Sequence, residues 1–270
     1  MQKVTMEMDE LHSRILKIMK YFDGICRQNN LTYYLSGGTM LGAVREKGFI
    51  PWDDDADLML PRKDYEKFIE IMMSIDKPEY KLGSLANRSD WTFPFARLYD
   101  DSTELEYEYL NESRVGVGVD IFPLDGVPDK IEETSRYYRK IKFLWRCRFA
   151  SVKKKFLPHE KYRFVKKIIQ IFCRLAGANR ISLRIDKLAA KRSFDDSKYI
   201  GVAVLSNYME RERFLRSDFA DRIETDFERE KFFIPTGYDN YLKSLYGDYM
   251  KRPEEALRKS HHHLTVYLKE

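Results

Sequence analysis

The sequence predicts an α/β (α+β) domain, a strand-containing core with flanking helices that carries a basic helical insert at 131–192. Three observations predict it. Apolar runs of strand length, at 31–35, 56–60, 95–99, 104–110 and 115–122, are interleaved with segments of helical periodicity. From about residue 131 the pattern turns helical and strongly basic. Finally, 270 residues with 43% hydrophobic and 14% aromatic side chains can bury a sizeable core, which excludes disorder for most of the chain and fits a single domain over 1–270.

The elements follow in order. Residues 6–29 read as an amphipathic helix, with Leu11, Ile15, Ile18, Phe22 and Ile25 at spacings of three and four. LTYYL at 31–35 is a short β-rich run that ends in Ser36-Gly37-Gly38, and a helical turn begins after the glycines. Ala56–Leu60 suits a buried strand stopped by Pro61, and 63–74 a helix with Tyr65, Phe68, Ile69 and Met72 on one face. Runs 93–99 and 104–110 read as paired strands about a DDS turn. A core strand over 115–122 is followed by a turn at Pro123-Leu124-Asp125-Gly126. Further on, 201–206 suits a short strand and 238–248 a helix closed by Gly247.

Charge is unevenly distributed. Residues 1–130 carry 16 basic and 24 acidic side chains, whereas 131–192 carry 19 basic and 4 acidic, a local net charge of +15. An acidic half suits a cation, and a basic segment suits an anionic surface or ligand. No repeat or low-complexity tract is present, no run approaches the roughly 18 uncharged residues of a membrane span, and the first residues lack an apolar signal core. Cys26, Cys147 and Cys173 are scattered and form neither a disulfide framework nor a zinc motif. A reducing cytoplasmic setting is the expectation.

The densest chemical signal is Trp52-Asp53-Asp54-Asp55-Ala56-Asp57, running into the apolar strand. Strand alternation puts Asp53, Asp55 and Asp57 on one face. Carboxylates crowded there raise one another's pKa unless a cation neutralises them, and hard cations with oxygen ligands, Mg²⁺ or Mn²⁺, suit such a site. Asp120 lies in an otherwise apolar strand, where a lone carboxylate is expensive to bury, and a neighbouring strand would make it a third ligand. Gly37 and Gly38, before a helix, let backbone N–H groups approach phosphate oxygens. Arg45, Arg62 and Arg97 could clamp phosphate or form ion pairs; Trp52, Tyr33, Tyr34 and Trp91 could face a quaternary ammonium or pack in the core.

The run Ser36-Gly37-Gly38-Thr39-Met40-Leu41-Gly42-Ala43-Val44-Arg45, followed by Gly48-Phe49-Ile50-Pro51-Trp52-Asp53-Asp54-Asp55-Ala56-Asp57, resembles the signature of the LicD family. Asp120-Ile121-Phe122-Pro123-Leu124-Asp125, Tyr246-Gly247-Asp248-Tyr249-Met250 and His261-His262 are similar to later family segments. The resemblance implies a nucleotidyltransferase-like mixed sheet core and transfer of phosphocholine from CDP-choline onto a sugar of teichoic acid or lipopolysaccharide. It implies that Asp55 and Asp57 are the metal-binding pair, Asp120 the third carboxylate, and Gly37-Gly38 the phosphate turn; beside them Ser36, Thr39, Arg45, Trp52 and Arg97 are the candidate substrate contacts. It also implies a lipid-linked glycan acceptor at the inner face of the membrane; the charge of 131–192 suits an anionic membrane surface there, with a helical lid packed on the core as the alternative. Ribitol- or glycerol-phosphate transfer from other CDP donors and true nucleotidyl transfer use the same metal site. A basic nucleic-acid-binding protein is the non-enzymatic alternative, against which stand the acidic site and the absence of a nucleic-acid module.

Overall fold

Helix α1 (Met8–Gln28) forms where Leu11, Ile15, Ile18, Phe22 and Ile25 recur, and all five are buried against the sheet. The computed structural model describes residues 6–156, 161–205, 207–255 and 264–269. After α1 come β1 (Tyr34–Leu35), α2 (Gly37–Arg45), β2 (Asp57–Pro61) and α3 (Arg62–Ser74). Strands β3 (Lys81–Gly83), β4 (Ala96–Tyr99), β5 (Thr103–Tyr107) and β6 (Gly118–Val127) lead to the helices α4 (Ile131–Val152), α5 (Arg163–Ala176) and α6 (Ala178–Ala189). The chain then runs through β7 (Tyr199–Gly201), β8 (Phe214–Leu215), β9 (Arg222–Phe227), β10 (Glu230–Pro235), α7 (Tyr238–Tyr246) and β11 (Leu264–Leu268).

The α/β expectation holds. The main sheet is mixed, in the order β1-β2-β6-β4-β3, with β7 and then β8 attached along the far half of β6. Strands β2 and β6 run parallel, and the other pairs in this sheet are antiparallel. Leu58, Met59, Leu60, Leu98, Val119 and Ile121 are fully enclosed, which accounts for the apolar runs that marked these strands.

Several elements differ from expectation. The 31–35 run is a strand only at its last two residues. The 93–99 and 104–110 runs do not pair with each other. Instead β4 lies between β6 and β3, and β5 pairs with β11, some 160 residues away in the chain. The 201–206 strand is instead 199–201; Gly201 ends it, and residue 206 lies outside the described residues. Strand β6 continues through the predicted turn at 123–126. Pro123 and Leu124 still pair with Leu60 and Pro61 of β2, β7 takes over from Asp125, and the Asp125 carboxylate is taken up by Arg62 at 2.8 and 2.6 Å, so a turn signature is held in a strand.

The basic segment is helical as expected. Helix α4 buries Tyr137, Tyr138 and Ile141, and α6 buries Ile181 and Ile185. Helix α5 buries only Gln170 and Cys173. Among the described residues no helix is long and apolar enough to cross a membrane.

Candidate active site

The sheet brings together three charged residues that the sequence keeps far apart. Asp57 of β2 faces Asp120 of β6 in parallel register, and Arg97 of β4 faces Asp120 in antiparallel register. The three therefore form a row across neighbouring strands. Arg97 donates from Nε to Asp120 Oδ1 at 2.5 Å and from Nη2 to Oδ2 at 2.8 Å, and its Nη1 reaches the Tyr107 hydroxyl at 3.2 Å. Arg97, read from the sequence as a substrate contact, is committed to Asp120: a buried carboxylate on an apolar strand needs a charged partner, and the adjacent strand supplies it.

Strand β2 begins at Asp57, so alternation does not order the residues before it. Asp53, Asp54 and Asp55 lie in a loop, and carboxylate oxygens from all three come within 4.8 Å of one another. The loop is held at both ends. His12 of α1 stacks on Phe49 at 4.2 Å and donates from Nε2 to the Asp53 carbonyl at 2.7 Å. The Asp57 N–H donates to Thr39 Oγ1 at 2.8 Å. Thr39 is buried and positions the carboxylate strand, and it is not among the residues that line the two clefts that meet here.

The Gly37-Gly38 turn packs directly on these acids. Gly37 has φ +49°, and a Cβ there would stand 3.2 Å from Asp57 Oδ2; one on Gly38 would stand 2.8 Å from Asp53 Oδ2. The glycines thus leave room for carboxylates at the N-terminus of α2, whose dipole favours negative charge. The Gly37 N–H donates to the Tyr241 hydroxyl at 2.9 Å, and that hydroxyl lies 3.3 Å from Ser36 Oγ.

Two clefts meet at this point. The first, about 510 Å³, is lined by Ser36, Gly37, Gly38, Arg45, Trp52 and Asp53, with Tyr208, Glu212, Tyr246 and Lys251 opposite. The second, about 700 Å³, is lined by Arg97, Asp120 and a wall of rings that includes Phe95, Tyr107, Tyr109, Trp145 and Phe149. Asp55, Asp57, Phe122, Leu205 and Asn207 line both. In the second, the Arg148 guanidinium lies over Phe93, Trp145 and Phe149 at 4.6, 5.0 and 5.4 Å, and is paired with buried Glu112. These ring faces already attract a cation.

Electrostatics single out the junction. Burial pushes the Asp57 carboxyl well above the ordinary range, and the neighbouring charges of Asp55, Asp120 and Asp53 push it further, against the opposing pull of Arg97. Glu212, in the first cleft, is raised by burial from 4.5 to about 8, and its Oε2 has no hydrogen-bond partner among the described residues. Arg45 sits at the same cleft but donates to Glu46 at 2.8 Å and to the Tyr249 carbonyl at 3.0 Å.

The remaining aromatic and basic candidates are structural. Arg62 bridges Asp125 and Asp186, while Tyr33, Tyr34 and Trp91 are buried with their polar atoms bonded to Asp23, Phe219 and Phe95. His261 and His262, part of the family resemblance, lie outside the described residues. Sequence reasoning missed His12, Glu212, Tyr241 and Lys251. Only Tyr241 carried a local sign, as an apolar position of a helix that also bears a hydroxyl.

The family model described as LicD/FKTN/FKRP, nucleotidyltransferase domain, matches residues 30–174, from just after α1 into α5. The chain is 30% identical over 274 residues to the lipopolysaccharide cholinephosphotransferase LicD of Haemophilus influenzae, covering 99% of this chain and 100% of that protein. A shorter stretch of 68 residues is 34% identical to an uncharacterized protein of Rickettsia typhi, covering 25% of this chain and 22% of that one.

Proposed function

The chain belongs to the LicD family, and from that premise we propose that it is a transferase moving phosphocholine from CDP-choline onto a sugar hydroxyl of a lipopolysaccharide-type glycan precursor. The observation that carries the reading is the junction itself. A cleft with glycines and basic groups and a cleft walled by rings open onto the same pair of carboxylates, Asp55 and Asp57. The first suits a nucleotide and its phosphates. The second suits a trimethylammonium group, which binds ring faces and nearby acids rather than hydrogen-bond acceptors.

A divalent cation fits these residues. The donor set is all oxygen, and of the causes that raise Asp57, burial first and then the charges of Asp55, Asp120 and Asp53, the second is the repulsion that Mg²⁺ or Mn²⁺ would offset. Asp55 and Asp57 would hold the ion with Asp120 as third carboxylate, and when bound it would offset the charge of the donor's pyrophosphate. The protein's own groups do the rest. Arg45 and Lys251 draw the phosphates into the first cleft, and Trp52 closes one side of it. The acceptor hydroxyl attacks the phosphorus that bears choline, a new O–P bond forms, and the P–O bond to CMP breaks. Asp120 takes the hydroxyl proton. Arg97 fixes its plane through both oxygens while each keeps a second lone pair.

The test is a thermal-protection screen with CDP-choline, CDP-ribitol, CDP-glycerol and nucleoside triphosphates in the presence of Mg²⁺, followed by CMP release on a glycan acceptor. CDP-choline is expected to give the largest shift. Protection by another CDP donor alone would change the transferred group, and protection by triphosphates alone would make the enzyme a nucleotidyltransferase.

A further inference from the structure

Helix α5 is inside out. Its buried positions are Gln170 and Cys173, while Phe164, Ile168, Ile169, Ile171, Phe172 and Leu175 are exposed, Phe164 by 77% and Leu175 by 75%. The helix is held to the protein by its polar edge: Gln170 Nε2 and Arg174 Nη2 each donate to the Lys153 carbonyl at 2.8 Å. At 100° per residue the exposed apolar side chains span about 160° of the helix, and Arg163, Lys166, Lys167 and Arg174 occupy the rest. A continuous apolar face of this extent in contact with water marks a surface that something covers.

Charge identifies what covers it. From 161 to 185 the sequence has seven basic residues and no acidic one. A second copy of the chain, pairing α5 with α5, would bring two basic rims together, and like charges at an interface oppose it. An anionic bilayer answers both features, taking the apolar face among its acyl chains and the basic rim among its headgroups. Fourteen residues make about 21 Å of helix, too short to cross a hydrocarbon core of about 30 Å, so the helix lies in the surface plane.

We infer that α5 is a membrane-surface helix that docks the protein on anionic lipid through its exposed apolar face. The inference goes beyond the proposed transferase reaction, and its readout needs no turnover, so the donor screen and this experiment fail separately.

The experiment floats the full chain with vesicles of phosphatidylcholine and phosphatidylglycerol (3:1), or phosphatidylcholine alone, at low and high salt. Flotation is expected with the anionic vesicles at low salt and to fall by on the order of tenfold or more in Lys166→Glu/Lys167→Glu. Ile168→Glu/Phe172→Glu should abolish it with an unchanged melting temperature. Should that variant not fold, Phe172→Trp in an otherwise intact chain gives a second reading: brominated lipid should quench it beyond the wild-type background. Flotation indifferent to lipid charge, Glu variants that float like wild type, or absence of added quenching would each overturn the inference. So would a dimer in solution that Ile168→Glu/Phe172→Glu converts to monomer, which would give the face to a second copy.

Discussion

The carboxylate junction and helix α5 invert the usual partition of polar and apolar groups in opposite directions. At the junction, charge is drawn inside: Asp57, Asp120 and Arg97 sit in register on strands of the main sheet, and Asp120 is matched to a guanidinium by two hydrogen bonds. In α5, apolar side chains are turned outside and polar ones inward. The difference shows how each region tolerates its inversion. Buried charge survives through partners held in place, so the Arg97–Asp120 pair is intolerant of substitution, whereas Asp57, raised by burial and by its acidic neighbours, is kept for chemistry at a cost to stability. An outward apolar face needs no partner for the helix to fold, so α5 should accept substitution freely with respect to stability.

The largest expected effect tests the first half of that contrast. Asp57→Asn should lower transfer by on the order of a thousandfold, the scale of losing a charge-organising group in a closed site. Its metal-free melting temperature should hold or rise, because a carboxyl destabilised by burial and by its neighbours is neutralised. Near-normal CMP release would remove Asp57 from the chemistry.

Arg97→Ala comes next. It leaves Asp120 buried without its cation, and breaking a buried pair in this way costs about 3–5 kcal/mol, to be read by denaturant unfolding. Unfolding like wild type would show that Asp120 is solvated and the junction open.

Two glycines compare the regions directly. Gly37→Ala and Gly177→Ala both place a side chain at positive φ, +49° and +80°, and each should cost roughly 1–2 kcal/mol of stability from that strain. Only at Gly37 would the new Cβ press on an acid, so only Gly37→Ala should also weaken protection by the donor. Equal effects on donor protection would dissolve the distinction.

The smallest effect concerns Glu212. Its folded-state proton affinity is raised, so between pH 4.5 and about 8 the native state holds a proton that the unfolded chain releases. Its contribution is therefore full at low pH and lost as pH rises toward 8. Melting temperatures of Glu212→Gln should fall less than those of wild type across that window; parallel curves would mean that the carboxyl is not held neutral.

Much of this was legible in the sequence where the cause is local. Strand β2, the helices α1, α3 and α7, and the clustering of Asp53, Asp54 and Asp55 follow from periodicity and adjacency. What escaped was nonlocal. Nothing near 103–107 announces a partner at 264–268, so a hairpin with 93–99 was the nearest available pairing. The β9–β10 hairpin was invisible because its turn uses Glu228 at φ +57° and not a glycine. The role of Arg97 could not be read either, since its partner lies 23 residues on and is reached only by sheet register. The family motif located the acids; it could not say which of their neighbours would hold them.

Strand β6 has one more consequence. Asp120 stands near its start, and five residues later Asp125 is tied through Arg62 to Asp186 of α6, in the same helical group as α5. Five residues of strand measure about 17 Å. Were α5 to rest on lipid as inferred, this strand and its ion triad would be the mechanical link between the carboxylates and the helical group on the bilayer, fixing how far the two stand apart.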